Sequence, residues 1–270
     1  AVCGTVNDLC MAGGVPKYLS FSLILEEGFP LDDLKTIVAS AAETARQVGV
    51  QIVTGDTKVV ERGHGDGIYI NTAGVGVLRA PGLGRDALRD GDAVLVSGSV
   101  GCHGAAVLMA RGGLPCEGTL CSDCRPLHEL AAAALNAGGV RLLRDPTRGG
   151  VATTLNEFVE GTSLGIELAE DAIPVDGSVA AACDLLGLDP LYSACEGRRR
   201  AGRPARRPRR RGRSLHRPRD GRPPQPGCAV QHLRRQPPAG QAHRRPATED
   251  LLILNTSSRK RSGAAKGAHT

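Results

Sequence analysis

Three polar residues follow one another in "IVTGDTKVV": Asp56, Thr57 and Lys58. A carboxylate and an ammonium this close suit a metal and phosphate site, because Asp ligates Mg²⁺ and Lys neutralises phosphate or moves a proton. The run comes straight after a β-branched stretch and Gly55, which predicts a loop at the end of a strand. A turn with a surface ion pair is the other reading. In "GTVNDLCMAGG", Asn7 and Asp8 sit among small and apolar residues. A carboxylate there needs a partner, a hydrogen bond or a metal, although a helix N-cap would also account for either residue.

The stretch "RDPTRGGVATTLNE" carries a more specific pattern. A strand ending at Asp145, a turn at Pro146 and the pair Gly149 and Gly150 would let backbone approach a ligand where the next helix exposes its first N–H groups. Arg148 adds a fork that fits phosphate. An ordinary strand-to-helix turn remains the alternative. Neither GxxxxGK[ST] nor GxGxxG occurs in the chain, so a nucleotide would be held by other means. In "YSACEG", Glu196 reads alone as a solvated surface residue, and the neighbouring Cys195 has no sequence cue for a base. Cys121 and Cys124 form a CxxC, a candidate redox pair or half zinc site. No second CxxC or paired His completes four ligands, so two small half-buried residues before a helix is the preferred reading. His64 and His103 lie in Gly-rich stretches and read as loop residues.

These residues need elements to hold them. "LDDLKTIVASAAETARQVGV" repeats apolar residues at helical spacing between Pro30 and Gly49, predicting a helix over 31–48. "VQIVTGD", "GIYINTAGVGVL" and "DAVLVSG" read as strands, and "VRLLRDPTRGG" as a strand running into the helical "VATTLNEFVEG". The fold class is α/β (α+β). "LRAPGLGRDALRDGD" has no strong period and marks a boundary, giving domains at 1–80 and 92–197 with a linker at 81–91.

The chain changes character at Gly197. Residues 1–197 hold 13 basic and 25 acidic residues, a net −12, whereas 198–270 hold 21 basic and three acidic, a net +18. All six Phe and Tyr residues lie at or before Tyr192, and nine of the seventeen Pro lie after Gly197. A segment so poor in apolar side chains cannot offset its ordering entropy, so 198–270 is expected to be a disordered basic tail. Such a tail would attract nucleic acid without sequence preference, and it lacks the aromatics for stacking, so no specific nucleic acid is expected. No apolar run reaches membrane-spanning length, nothing at the start resembles a signal peptide, and the nine Cys show no repeating spacing. A cytoplasmic protein with reduced thiols is the expectation.

The ordered set "GTVNDL", "LILEEGFPLDDLKTIV", "IVTGDTKVVERGHGDGIYINTAGVG", "DAVLVSG", "SDCRPL", "RDPTRGGVATTLNE", "IPV" and "LLGLDPLYSACEG" closely resembles the family of the hydrogenase maturation factor HypE. That family lies within the PurM-like superfamily of aminoimidazole ribonucleotide synthetase and selenophosphate synthetase. The resemblance runs from Ala1 to Gly197 and stops there.

It implies a PurM-like two-domain fold and an ATP-dependent dehydratase that turns a thiocarboxamide on a C-terminal Cys into a thiocyanate, the source of the cyanide on [NiFe] hydrogenase iron. It implies a homodimer, and as partners a carbamoyltransferase and iron-scaffold maturation proteins. Lys58 and Glu196 match the family's catalytic pair. Asn7, Asp8, Asp56 and Thr57 fall in its nucleotide and Mg²⁺ motifs, with Asp8 and Asp56 as metal ligands, and Arg148, Gly149 and Gly150 in its glycine-rich turn. Against that pattern the chain is expected to be incomplete at both ends, to be read out of frame after Gly197, and to lack the terminal Cys carrier, its last Cys being Cys228. Inactivity in the family's reaction follows as an expectation. A non-functional fragment, a sister activity of the selenophosphate synthetase or thiamine-phosphate kinase type, and nucleic-acid binding by the tail are the rival readings.

Overall fold

The computed structural model describes residues 1–112 and 120–197, and the backbone of 230–235. Its first sheet is three-stranded. β1 (Gly14–Glu26) lies in the centre, parallel to β2 (Gln51–Val60) on one side and antiparallel to β3 (Ile68–Leu78) on the other. A parallel neighbour requires a crossover, supplied by α2 (Leu31–Val48). The helix covers the range its apolar spacing predicts, beginning after Pro30 and ending at Gly49. The loop from β2 to β3 is tied down by Glu26, whose carboxylate accepts from the N–H groups of Gly63 at 2.6 Å and Gly67 at 3.0 Å.

Alternation along β1 gives the sheet two unlike faces. Leu19, Leu23 and Leu25 are buried on one face, Leu19 among the side chains of α1. Tyr18, Ile24, Tyr69 and Val75 point the other way and are exposed, Val75 by 62%. α1 (Val2–Met11) lies on the inner face, where the Thr5 hydroxyl hydrogen-bonds that of Thr72 at 2.6 Å. Gly74 makes this approach possible, since a Cβ there would meet side-chain carbons of Leu19, Leu9 and Thr5 at 2.7–2.9 Å.

The second half contributes α3 (Cys102–Gly112), α4 (His128–Ala137), α5 (Gly150–Val159), α6 (Gly177–Leu186) and the short strands β4 (Ala93–Leu95) and β5 (Leu164–Glu167). Leu127, Ala131 and Leu143 join Val2, Val6, Cys10 and Met11 of α1 in one apolar cluster, so the two halves share a core. A second cluster joins Val94 and Val100 to Val151, Leu155 and Phe158 of α5.

Two expectations are corrected here. The segment expected to be a strand ending at Asp145 is without regular structure over 139–147; it buries Leu143 and Asp145, but no strand pairs with it among the described residues. The tail expected to be wholly disordered contributes one strand, β6 (Val230–Arg235), antiparallel to β4 and β5 and lying between them. Two short strands each present a row of unpaired backbone groups, and a strand between them pairs both rows. The rest of 198–270 lies outside the described residues.

Candidate functional site

Asp56, Thr57 and Lys58 do not occupy a loop. They are residues of β2, opposite Ser22, Leu23 and Ile24 of β1, because pairing with β1 carries the strand on to Val60. Register puts Asp56 and Lys58 on the exposed outer face together with Ser22, Ile24, Asn71 and Tyr69, and Thr57 on the opposite face. The Lys58 ammonium stands 3.0 Å from one Asp56 oxygen, and the other accepts the Thr57 N–H at 2.9 Å. The hydrogen bond and charge of Lys58 hold the Asp56 carboxyl below the usual range. Both side chains are exposed on an edge strand.

The environment of Glu196 is the reverse. Asn7, fully buried in the middle of α1 rather than at a cap, donates from its amide nitrogen to the carbonyls of Arg125 at 3.1 Å and Glu196 at 3.4 Å. Its amide oxygen accepts the Leu127 N–H at 2.8 Å. The Glu196 N–H in turn donates to Asp123 Oδ1 at 3.1 Å. Both backbone groups of Glu196 are thus held by buried side chains, one from each half of the chain. Three further carboxylates crowd this junction. Burial pushes the Asp123 carboxyl up, and pushes that of Asp145 up to about 6, with the negative charge of nearby Asp8 adding to the effect. Asp123 Oδ2 and Asp145 Oδ2 are buried without a hydrogen-bond partner. Asp145 lies in the wall of a largely apolar cavity of about 210 Å³, lined also by Met11, Leu95, Leu130, Leu143 and Cys195.

The turn before α5 is shaped by the 190–197 segment. Gly150 has φ +60°, and a Cβ on it would stand 2.3 Å from the Leu191 carbonyl oxygen and 2.7 Å from that of Ser193. The close approach that this glycine permits in the structure is therefore to protein backbone. Gly149 precedes the helix and Arg148 is exposed beside it. Cys195 donates its N–H to the Pro146 carbonyl, and burial pushes its thiol up to about 12, so it stays protonated at neutral pH. His103 lies in α3 rather than in a loop, with Nδ1 at 2.8 Å from the Ser122 hydroxyl. Cys121 and Cys124 are both exposed, not half-buried.

The structure brings Asn7, Asp8, Asp145 and Glu196 to one junction but leaves Lys58 and Asp56 on the far face of the sheet, joined to Glu196 by no hydrogen bond or ion pair among the described residues. Nor do any three His, Cys, Asp or Glu side chains among them converge as a metal cage. Mg²⁺ does not require one, since it is commonly held by one or two carboxylates and the phosphates of a nucleotide, and Asp8 and Asp56 are both exposed.

The model of the AIR synthase related protein, N-terminal domain, matches residues 1–78, and that of the C-terminal domain matches 89–202. The chain belongs to the AIR synthase related family. Within the family it is similar to the carbamoyl dehydratase HypE of Cupriavidus necator, 57% identical over 200 residues, and to that of Escherichia coli, 50% identical over 199. These alignments cover 73% of the chain, and the chain spans 57% and 59% of the respective relatives. Among solved structures, HypE in complex with ATP superposes with a TM-score of 0.71 at 49% identity, covering 73% of this chain and 59% of that one. HypE in a HypE–HypF complex gives 0.70 at 48% identity, covering 73% and 65%. AIR synthase related architecture thus accounts for both halves of the chain, and no helix among its described residues is long and apolar enough to cross a membrane.

Proposed function

We propose that the chain carries the dehydratase chemistry of HypE: ATP-dependent conversion of a protein thiocarboxamide to a thiocyanate for the cyanide ligand of [NiFe] hydrogenase. The observation that carries the reading is the polar set Asp56 and Lys58 on an open sheet face, in a chain half identical to carbamoyl dehydratases along both family domains. An amide oxygen leaves poorly as hydroxide. Transfer of the ATP γ-phosphoryl group to that oxygen makes phosphate the leaving group, and loss of two N–H protons completes the nitrile. Lys58 offsets charge on the transferring phosphoryl, and the Glu196 carboxylate, fixed through its backbone, accepts a proton from nitrogen. Thr57, Arg148 and Gly149 would complete the nucleotide contacts, while Gly150, packed on the 191–193 backbone, shapes the turn that presents Arg148 and Gly149. Asn7 contributes by holding Glu196 rather than by touching ATP. Asp8 at the junction and Asp56 on the outer face lie on opposite sides of the sheet, so within one copy one carboxylate or the other, not both, would hold Mg²⁺ against the phosphates, where it would supply further charge neutralisation.

The reading includes a cytoplasmic homodimer. A second copy laid on the exposed face around Tyr18, Ile24, Tyr69 and Val75 would cover it and give Lys58 the walls that it lacks in one copy. A carbamoyltransferase and an iron-scaffold protein would act before and after it. Residues beyond 202 match neither family domain and differ from the rest in charge and composition, which supports a shift of reading frame near codon 198. The nucleotide sequence, translated in all three frames, tests that point.

Activity is tested by supplying an S-carbamoylated cysteine peptide with ATP and Mg²⁺ and following thiocyanate by mass spectrometry. Without the supplied peptide the chain is expected to be inactive; with it, conversion with release of ADP and phosphate is expected, and it should be lost in Lys58→Ala and Glu196→Gln with the fold retained. ATP that fails to bind, or variants that turn over like the parent, would overturn the assignment.

A further inference from the structure

The cavity that Asp145 borders is walled from both halves of the chain: Met11 comes from α1, Leu130 and Ala134 from α4, and Leu95, Leu143 and Val151 help to close it. Its volume of about 210 Å³ exceeds the ~150 Å³ in which an apolar cavity accommodates benzene, so it has room for one ring with a short arm. Among the polar side chains of the wall, the Ser99 hydroxyl accepts the Asp176 N–H at 2.8 Å, Arg144 donates to Glu157 at 3.5 Å, and the Cys195 sulfur accepts the Gly101 N–H at 3.1 Å. Asp145 is different. It is 5% exposed, and its Oδ2 is buried without a hydrogen-bond partner.

A carboxylate in an apolar wall only accepts, and its charge is costly there until a cation meets it. We propose that this cavity binds a small primary amine with an apolar body, its ammonium paired with Asp145 and its body against Met11, Leu130 and Leu143. The charges around Asp145 favour a cation over a neutral donor. Asp8 of α1 and Glu196 add negative charge, and the Cys10 thiol, pushed up to about 11 by burial, stays neutral. The adjacent Arg144 offsets part of that charge, but its guanidinium is held by Glu157. Asp145 itself, pushed up to about 6 by burial, is ionised at neutral pH. An organic cation suits these walls better than a metal ion, because no three His, Cys, Asp or Glu side chains among the described residues converge to coordinate one. Since the wall draws on both halves of the chain, an occupant would also brace the join between them.

The inference does not depend on the dehydratase reading, and its test needs no turnover. The full chain is titrated by calorimetry near neutral pH with benzylamine and with benzyl alcohol, which has the same ring and arm but no charge. Benzylamine is expected to bind, and benzyl alcohol to bind about tenfold more weakly, the difference between a charge-assisted and a neutral hydrogen bond. The preference should fade as pH falls through about 6, where Asp145 takes up a proton. Asp145→Asn keeps the shape of the wall and should bind the two ligands alike. Ala134→Leu fills the cavity and should abolish the binding of both; if that variant fails to fold, Asp145→Asn against the parent still decides. Saturating benzylamine should raise the thermal midpoint of the parent more than that of Asp145→Asn. Equal affinity for the two ligands in the parent, or benzylamine affinity that survives Asp145→Asn, would overturn the proposal. So would no heat from either ligand, which would mean that the chain itself fills the cavity.

Discussion

The outer face of the first sheet and the junction behind α1 hold the two halves of one proposed catalytic pair in opposite ways. Lys58 stands on an edge strand, its side chain 70% exposed, with a single ion pair to a neighbour two residues away. Glu196 has both backbone groups clamped by Asn7 and Asp123, residues more than 70 positions distant in the chain. The junction is ordered within one copy and its geometry is set before any ligand arrives. The outer face stands open in one copy. Substitutions at the junction should therefore act through the fold, and substitutions on the outer face through binding.

The largest effect is expected at Gly150. Alanine there must place a Cβ against two backbone carbonyl oxygens that cannot rotate aside, at a positive φ that L-residues rarely adopt. A loss of about 3–4 kcal/mol, measured by urea unfolding, is expected. If the chain unfolds no more easily than the parent, the 190–197 segment is not packed on this turn. Asn7→Ala follows closely: it leaves the Leu127 N–H and two carbonyls without their buried partner, for a loss of about 3 kcal/mol. Amide exchange of residues 121–127 should accelerate in the same variant, since their anchor is removed.

Asp145 gives an effect of the opposite sign. Its folded carboxyl titrates near 6, above the value of 3.8 expected in the unfolded chain, so the folded state binds the extra proton. The neutral carboxyl carries no penalty below about pH 4, and the cost of burying its charge grows as pH rises to about 6 and stays constant above it. Asp145→Asn should therefore stabilise the chain by about 3 kcal/mol above pH 6 and by nothing near pH 4. Stability profiles of parent and variant against pH would show it, and parallel profiles would remove Asp145 from the apolar wall.

Local pattern in the sequence was enough for α2 and β3, because periodicity, Pro30 and Gly49 all act within a few residues of the elements they bound. It misled at β2, where "TGDTK" has the residue types of a loop but takes its hydrogen bonds from β1, a partner some 30 residues earlier. It misled again over 140–145, an apolar run that finds no strand to pair with among the described residues. The site shows the same limit. The residue types of Asn7, Asp56, Lys58 and Glu196 were legible, whereas the use of Asn7 as a clamp on Glu196 and the crowding of Asp8 against Asp145 depend on contacts across more than 100 residues.

The smallest effect on stability is expected at Lys58, and it tests the contrast most directly. The ammonium is exposed, and its ion pair with Asp56 is within reach of water and salt. Lys58→Ala should therefore leave the thermal midpoint within about 1 °C of the parent, whatever the salt concentration. The same change should weaken ATP binding, measured by calorimetry, and weaken it more at low salt than at high, because an exposed cation acts on phosphate through a field that salt screens. Asp56→Asn separates the two contributions: it releases the Lys58 ammonium and removes a carboxylate from the phosphates, so loss of binding there would favour Asp56 as the residue that holds Mg²⁺, and tighter binding would mean that it only restrains Lys58. If Lys58→Ala instead unfolds the chain as readily as Asn7→Ala, the outer face is already covered in solution, and Lys58 belongs to a packed interface.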